Sequence, residues 1–377
     1  MNSDLCNTNV LILGKTGSGK SSLINYLYGT DMVIGKAGAP VTVKGFHKQP
    51  SFVYRSLNIT VYDSWGIEAD KTHEWRQLLK EELRKTDSSS ITEWFHTVIY
   101  CFDAKSSRLD DFERTEIIQK LIDGGVRLIF ALTKWDLCSY AEKNAAVEVI
   151  RSNYNDLDYV PVCSISKKLR NGTVTKPLGR EELFKFMCLN LRENLVYKTI
   201  TLAKEKLDRA LSKAEEKIIE YYNEKTGPVG IFTYYDDDLL KAIEDKSYKV
   251  YSSKTNDIPK FINENFCYIN EICTRVIESY SGKKVDVDGF QNIIRSEFFK
   301  TGIQAWDNSW AEDIATVVTT LLSVGIFQFL KKGMYEDKLK EALKSVSCHL
   351  KEKLNQWIEE QEKNEGEIKQ LYLTYLE

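Results

Sequence analysis

The chain has no dominant charge: 52 lysines and arginines stand against 55 aspartates and glutamates over 377 residues, a formal net charge of −3. Neither half is basic on its own, so composition offers no electrostatic footprint for nucleic acid, and none is expected as a partner. Paired cysteine spacing is also missing. The eight cysteines contain no C-x-x-C, and Cys101 and Cys163 fall inside apolar runs, which predicts reduced, buried thiols and no disulfide framework. The four histidines, His47, His73, His96 and His349, are too scattered for a metal cluster. Met1-Asn2-Ser3-Asp4 begins neither a basic nor an apolar leader, so no signal peptide is expected and the expected location is cytoplasmic. Short-period repeats and low-complexity linkers are absent as well.

What is present begins at Gly14-Lys15-Thr16-Gly17-Ser18-Gly19-Lys20-Ser21, which fits G-x-x-x-x-G-K-[ST] at every fixed position. Val10 to Leu13 enters it as an apolar strand, and Ser22 to Leu27 leaves it with helical character. A glycine-rich turn could match by accident, but the strand–loop–helix context is the one in which backbone N–H groups wrap a phosphate at a helix N-terminus. In this reading Gly14 to Ser22 cradle a nucleoside phosphate, Lys20 reaches the β- and γ-phosphates, and the Ser21 hydroxyl ligates Mg²⁺.

Further along, the strand-like run Val126 to Leu132 delivers Thr133-Lys134-Trp135-Asp136, a variant of the N-K-x-D motif of GTPases. A carboxylate at Asp136 can accept two hydrogen bonds from the N1–H and 2-amino group of guanine, neither of which adenine offers. Lys134 would pack across the base and Thr133 would tie this loop to the phosphate loop. Alone, a Lys–Asp pair after a strand is more often a solvated loop. Between the two motifs, Leu57 to Tyr62 leads into Asp63-Ser64-Trp65-Gly66, a D-x-x-G pattern in which Asp63 holds Mg²⁺ and the Gly66 amide senses the γ-phosphate. Thr42, in Ala39-Pro40-Val41-Thr42, occupies the place of the first switch as a metal and catalytic candidate; its plain alternative is an ordinary loop threonine. Val160 to Ile165 takes the place of the base-contacting S-A-K loop, with the Ser164–Ile165 backbone as the contact.

Five such elements in this order resemble the TRAFAC class of P-loop GTPases over residues 5–195. Gly19 to Asn25 is similar to the G-K-S-S-L-I-N of Era-like proteins, Gly14 to Gly17 resembles the septin, GIMAP and Toc group, and the helical second half resembles immunity-related and dynamin-like GTPases. The resemblance implies GTP/GDP and Mg²⁺ as ligands, slow GTP hydrolysis, and a homodimer formed through the G domain. Two departures matter. Ile67 stands where Ras-like enzymes carry a water-orienting glutamine, and Gly17 stands where potassium-activated relatives have asparagine. Catalysis then falls to Lys20, Thr42 and Gly66, with Glu68, Lys15 or Thr16 as alternative contributors, Glu68 having a solvated switch residue as its plainer reading. An Era-like ribosome-associated factor, or a nucleotide-binding scaffold with negligible hydrolysis, are the alternatives to a self-associating switch.

The expected fold class is α/β: a P-loop NTPase with a mostly parallel sheet flanked by helices in residues 1–195, then an all-α bundle in 196–377. Strand signals fall at Val10–Leu13, Leu57–Tyr62, Thr97–Phe102, Arg127–Leu132 and Val160–Cys163, and a helix from Glu181 to Leu195 is expected to close the first domain. Residues 67–90 read as a long polar second switch anchored by Trp75, Leu78 and Leu79. Past residue 195 the periodicity is helical, and Leu339, Leu343, Val346, Leu350, Leu354 and Trp357 form a stripe suited to a bundle face or a coiled-coil seam. Ile314 to Leu330 is uncharged but shorter than the roughly 20 residues a bilayer-spanning helix needs. It reads as a buried bundle helix or as a peripheral membrane contact with a membrane surface. Lys20→Ala is expected to abolish nucleotide binding without unfolding the protein; retained GTP affinity in a filter-binding assay would overturn the phosphate-loop assignment.

Overall fold

A computed structural model describes residues 5–29, 44–68, 71–166, 172, 174–226, 237–281, 315, 316, 318 and 335–376. Thr42, with the rest of the first-switch segment, and most of 314–330 lie outside them. The chain divides into two compact units, the first made of residues 1–198, 268–285 and 372–377 and the second of 199–267 and 286–371.

The first unit is built on a seven-stranded sheet in the order β2-β4-β1-β5-β6-β7, with β3 also paired to β4. Five strands run parallel: β1 (Cys6–Gly14), β4 (Leu57–Ser64), β5 (Thr97–Asp103), β6 (Leu128–Thr133) and β7 (Asp158–Pro161). β2 (Phe46–Lys48) and β3 (Phe52–Tyr54) are antiparallel to β4. Central parallel strands are covered on both faces and therefore read as unbroken apolar runs. Val10 to Leu13, Val98 to Tyr100 and Leu128 to Leu132 are all fully buried. β2 and β3, three residues each at the sheet edge, carry too little periodicity to show in the sequence.

α1 (Lys20–Tyr28), α2 (Thr72–Asp87), α3 (Gln119–Asp123) and α4 (Tyr140–Asn153) are among the helices that connect these strands. α2 occupies the polar stretch read as a second switch, and Trp75 and Leu79 are its core anchors, with the Trp75 indole donating to the Trp65 carbonyl at 2.8 Å. α3 is preceded by a wide π turn over Glu113–Ile118 that the sequence did not announce. α5 (Arg180–Thr226) does not end at Leu195; its apolar spacing continues through Val196, Ile200 and Leu207 without a stop signal.

The start of α5 joins the sheet by polar contacts as well as apolar ones. Asn194 donates to the carbonyls of His96 and Arg127 at 3.1 Å each and accepts from the Arg127 amide at 2.9 Å. Lys198, buried over the Trp94 ring, pairs with Asp87 at 2.5 Å. α7 (Asp257–Ser281) contributes its later residues to this unit, where the Ser56 hydroxyl and the Arg55 guanidinium bond the carbonyls of Arg275 (2.9 Å) and Ser279 (3.1 Å). Arg55 itself sits in the left-handed region, φ 51°, at the turn between β3 and β4.

The second unit is helical in its described residues: the later part of α5, α6 (Asp237–Thr255), the first part of α7 and α8 (Tyr335–Leu376) as far as Leu371. The stripe from Leu339 to Trp357 is buried inside this unit, with Tyr251 donating to the Leu343 carbonyl at 3.2 Å and Phe266 edge-on to Trp357 at 6.1 Å. It is the inner face of a bundle. Among the described residues no helix is long and apolar enough to cross a membrane; of the 314–330 run, Ala315, Thr316 and Val318 are helical and Val318 is buried.

His96 makes the first unit acid-sensitive. Its Nε2 lies 2.7 Å from the Ile91 carbonyl, which can only accept, so Nε2 carries the proton and Nδ1 takes the Asn9 amide. Burial, helped by the Lys198 charge, lowers its pKa from 6.5 to about 4. Below pH 6.5 the unfolded chain binds a proton that the folded one refuses, so stability falls with pH, by about 2 kcal/mol between pH 7 and 5. Urea midpoints across that range should drop in the wild type and flatten in His96→Gln; equal slopes in both would contradict this assignment.

Candidate functional site

Every described candidate residue lies at or just beyond the carboxyl ends of the parallel strands, where open α/β sheets bind ligands. β1 ends at Gly14, β4 carries Asp63 and ends at Ser64, β5 ends at Asp103, β6 at Thr133, and β7 runs out before Ser164 and Ile165.

The loop from Gly14 to Gly19 needs its glycines for stated reasons. A Cβ on Gly14, at φ 143°, would sit 2.6 Å from the Cys101 carbonyl. Gly19 takes φ 94° as the left-handed N-cap of α1. Lys20, only 6% exposed, donates to the carbonyls of Gly14 and Lys15 at 3.0 Å each. Burial pulls its pKa down, opposed by charge at Cys101 and Asp63. Ser21 is exposed at the first turn of α1, and Ser22 is half-buried.

Asp63 is buried, and its Oδ1 has no hydrogen-bond partner. Desolvation raises its pKa against the pull of Lys20 and His47. The segment after it is stitched to the loop: Ile67 donates to the Gly14 carbonyl and accepts from the Thr16 amide, both at 3.2 Å. Gly66 packs so closely on Thr16 that a Cβ would overlap its hydroxyl, its Cα at 2.8 Å and its amide. The Ile67 side chain is buried in the core. Glu68 is paired with Lys71 at 2.6 Å.

On the base side, the Thr133 hydroxyl donates to the Ser18 carbonyl at 2.6 Å, linking β6 to the phosphate loop. Lys134 adopts φ 56° and pairs with Asp103 at 2.5 Å, a contact between strand ends that no sequence spacing signals. Asp136 sits in a 3₁₀ turn, Trp135–Leu137, with Oδ2 buried and unpartnered. The Cys163 sulfur is 3.4 Å from the Ile165 carbonyl, and burial, with the negative charge of Asp136, pushes its thiol pKa up. Cys163 is a buried thiol directly before Ser164 and Ile165, the expected base contact. Ile165 itself is exposed.

The Lys15 side chain is committed to Glu113 at 2.6 Å and Asp110 at 3.1 Å. Asp110 and Glu113 also exchange backbone-to-carboxylate bonds in the reciprocal pattern that caps a helix start, a spacing legible as a helix start but not as a partner for Lys15.

Three buried side-chain oxygens without partners, on Ser18, Asp63 and Asp136, together with a desolvated lysine, fit a nucleotide carrying phosphates at one end and guanine at the other, and a Mg²⁺ ion beside Asp63. Residues 9–134 match the family model described as 50S ribosome-binding GTPase. Over these residues the match, the fold and the motifs at the strand ends are those of a P-loop GTPase G domain. Among curated proteins, the chain is similar to GTPase Der of Nitratiruptor sp. (30% identical over 165 residues) and of Sulfurimonas denitrificans (25% over 160 residues). These matches cover 43% and 42% of this chain but only 33% and 31% of those relatives' length. Among solved structures it is similar to Toc33 from Arabidopsis thaliana in complex with Mg²⁺ and GMPPNP, at 18% identity and a TM-score of 0.35, covering 49% of this chain and 84% of that one. The G domain of the T. maritima FeoB iron transporter gives 21% identity and a TM-score of 0.30 over 48% and 96% of the two chains.

Asp136→Asn replaces an acceptor with a donor at the guanine edge and should shift preference toward xanthine nucleotides by at least about a hundredfold. Competition binding with GDP and XDP checks it; an unchanged guanine preference would remove Asp136 from the base site.

Proposed function

We propose that this chain is a GTP-binding, GTP-hydrolysing switch whose nucleotide state controls its helical unit and its self-association. The observation that carries the reading is the pair of buried, unpartnered carboxylate oxygens on Asp63 and Asp136, at the ends of strands β4 and β6, on either side of the Lys20 loop. Uncompensated buried oxygens of this kind are costly unless a ligand completes them.

In this reading Lys20 and the backbone amides of Gly14 to Ser22 bind the β- and γ-phosphates. Thr133, Lys134 and Asp136 recognise the base with the Ser164–Ile165 backbone. Ser21, Thr42 and Asp63 hold Mg²⁺, which supplies charge neutralisation at the phosphate oxygens. Gly66 senses the γ-phosphate through its amide. Ile67 offers no hydrogen-bonding side chain and is locked in the core, and Glu68 is engaged by Lys71. Neither of the two residues that follow Gly66 therefore offers a free side chain to orient water, and intrinsic hydrolysis is slow. A second copy meeting the G domain supplies what is missing. Contact of 314–330 with a membrane surface belongs to the same proposal.

A ribosome-associated role is the second reading, favoured by the description of the matching family model as a 50S ribosome-binding GTPase. A nucleotide-binding scaffold that barely hydrolyses GTP is the third, and Ile67 favours it.

Phosphate release per molecule, measured over a wide range of protein concentration, separates these. The switch reading expects slow turnover at high dilution that rises with concentration. Fast, concentration-independent turnover would contradict it, and tight GTP binding with no release at any concentration would leave the scaffold. Co-sedimentation with anionic liposomes in GDP and in a non-hydrolysable analogue tests the membrane element: pelleting in neither state removes 314–330 from the proposal.

A further inference from the structure

Glu113 is a carboxylate with 2% side-chain exposure, outside every motif that the guanine-nucleotide reading uses. Both of its oxygens are partnered. Oε1 accepts from the Tyr100 hydroxyl of β5 at 2.6 Å; Oε2 accepts from the Asp110 amide at 2.8 Å and from the Lys15 ammonium at 2.6 Å. A buried charge of this kind persists only with a counter-charge and saturated hydrogen bonds, and removing one partner of such a pair is strongly destabilising. Its counter-charge is the residue directly after Gly14 in the phosphate loop.

The other end of Lys15 faces the chemistry. Its carbonyl accepts from the Lys20 ammonium at 3.0 Å and from the Ser18 amide at 3.1 Å, and the residue forms a parallel bridge with Ile67 just past Gly66. One residue therefore has its side chain clamped to the helix start at Asp110–Glu113 while its backbone holds Lys20 and the D-x-x-G segment. Glu113 opens the π turn of Glu113–Ile118, and such turns inside helices occur frequently at functional sites.

We propose that Glu113, with Asp110, is a positioning residue of the phosphate loop: it fixes the Lys15 backbone, and through it the Lys20 ammonium, so that Lys15 serves as the loop's anchor and its side chain is not a phosphate ligand. The proposal rests on the guanine-nucleotide reading above. It also assigns the buried acid to the reaction's geometry without placing it on substrate.

The test compares wild type, Glu113→Gln, Lys15→Met and the double variant Lys15→Met/Glu113→Gln, by competition of GDP and GMP against a fluorescent GDP, with thermal melting alongside. Glu113→Gln keeps the shape and the Tyr100 bond but removes the charge, and Lys15→Met strands the acid. Each single change should weaken GDP by about tenfold or more and lower the GDP-to-GMP affinity ratio, because the phosphate loop moves and the base site does not. Because each change breaks the same clamp, the double variant should bind GDP no more weakly than the weaker single variant, the signature of a coupled pair. A double variant whose loss multiplies the two single losses would show that the ammonium itself binds phosphate and would overturn the proposal. Equal losses for GDP and GMP would reduce Glu113 to general fold support and overturn it too. If Lys15→Met does not fold, Glu113→Gln against the double variant decides: a double variant weaker than Glu113→Gln contradicts the anchor role. Wild-type protein that fails to bind GDP at all would instead remove the guanine reading on which the inference rests.

Discussion

The first unit is organised around a desolvated ammonium. Lys20 is almost wholly removed from water at the first position of α1 and, in place of a carboxylate, is held by two backbone carbonyls of its own loop. Carbonyl dipoles steady a cation but do not neutralise it, and its pKa is lowered accordingly. The helix dipole at the same end adds positive potential. A di- or triphosphate is the partner such a centre calls for. The loop must then be kept open against collapse, and the positive-φ glycines, the bridge from Lys15 to Ile67 and the Thr133 bond to Ser18 all serve that end.

The supports of that centre are drawn from neighbouring strands. β4 leads into the Ile67 backbone, β5 the Cys101 carbonyl that forbids a side chain at Gly14, β6 the Thr133 hydroxyl, and the helix start after β5 the carboxylates on Lys15. Because adjacent parallel strands end at one edge, small displacements at Asp63 or Thr133 bear directly on the phosphate loop. Asparagine at position 133 is not needed for that link, since a threonine hydroxyl makes it at 2.6 Å. What asparagine's amide would add is a second hydrogen-bonding group, and here Thr133 makes its further contact with the Phe102 carbonyl at 3.2 Å.

Much of this was legible in the sequence, for physical reasons. Strands buried on both faces must be continuously apolar, so β1, β5 and β6 are legible to within a few residues, and β4 is legible from the alternation of Leu57, Ile59 and Val61. The loop glycines and Lys20 are demanded by backbone geometry, and Asp63 and Asp136 follow strands at fixed offsets. What stayed hidden depends on tertiary placement. Nothing in the spacing of Lys134 and Asp103, or of Lys15 and Glu113, signals an ion pair, because those residues meet only after the sheet has formed. The expected helix end at Leu195 is not a boundary, because the G-domain motifs stop there while the hydrophobic stripe of α5 continues.

The account stands or falls on a guanine nucleotide completing the Lys20, Asp63 and Asp136 centre. Isothermal titration of the wild-type protein with GDP and with ADP, each with Mg²⁺ and with EDTA, tests it most directly. The account predicts saturable binding of GDP that weakens when the metal is chelated, and at least about a hundredfold weaker binding of ADP. Equal affinity for the two nucleotides, or heat from neither, would contradict it.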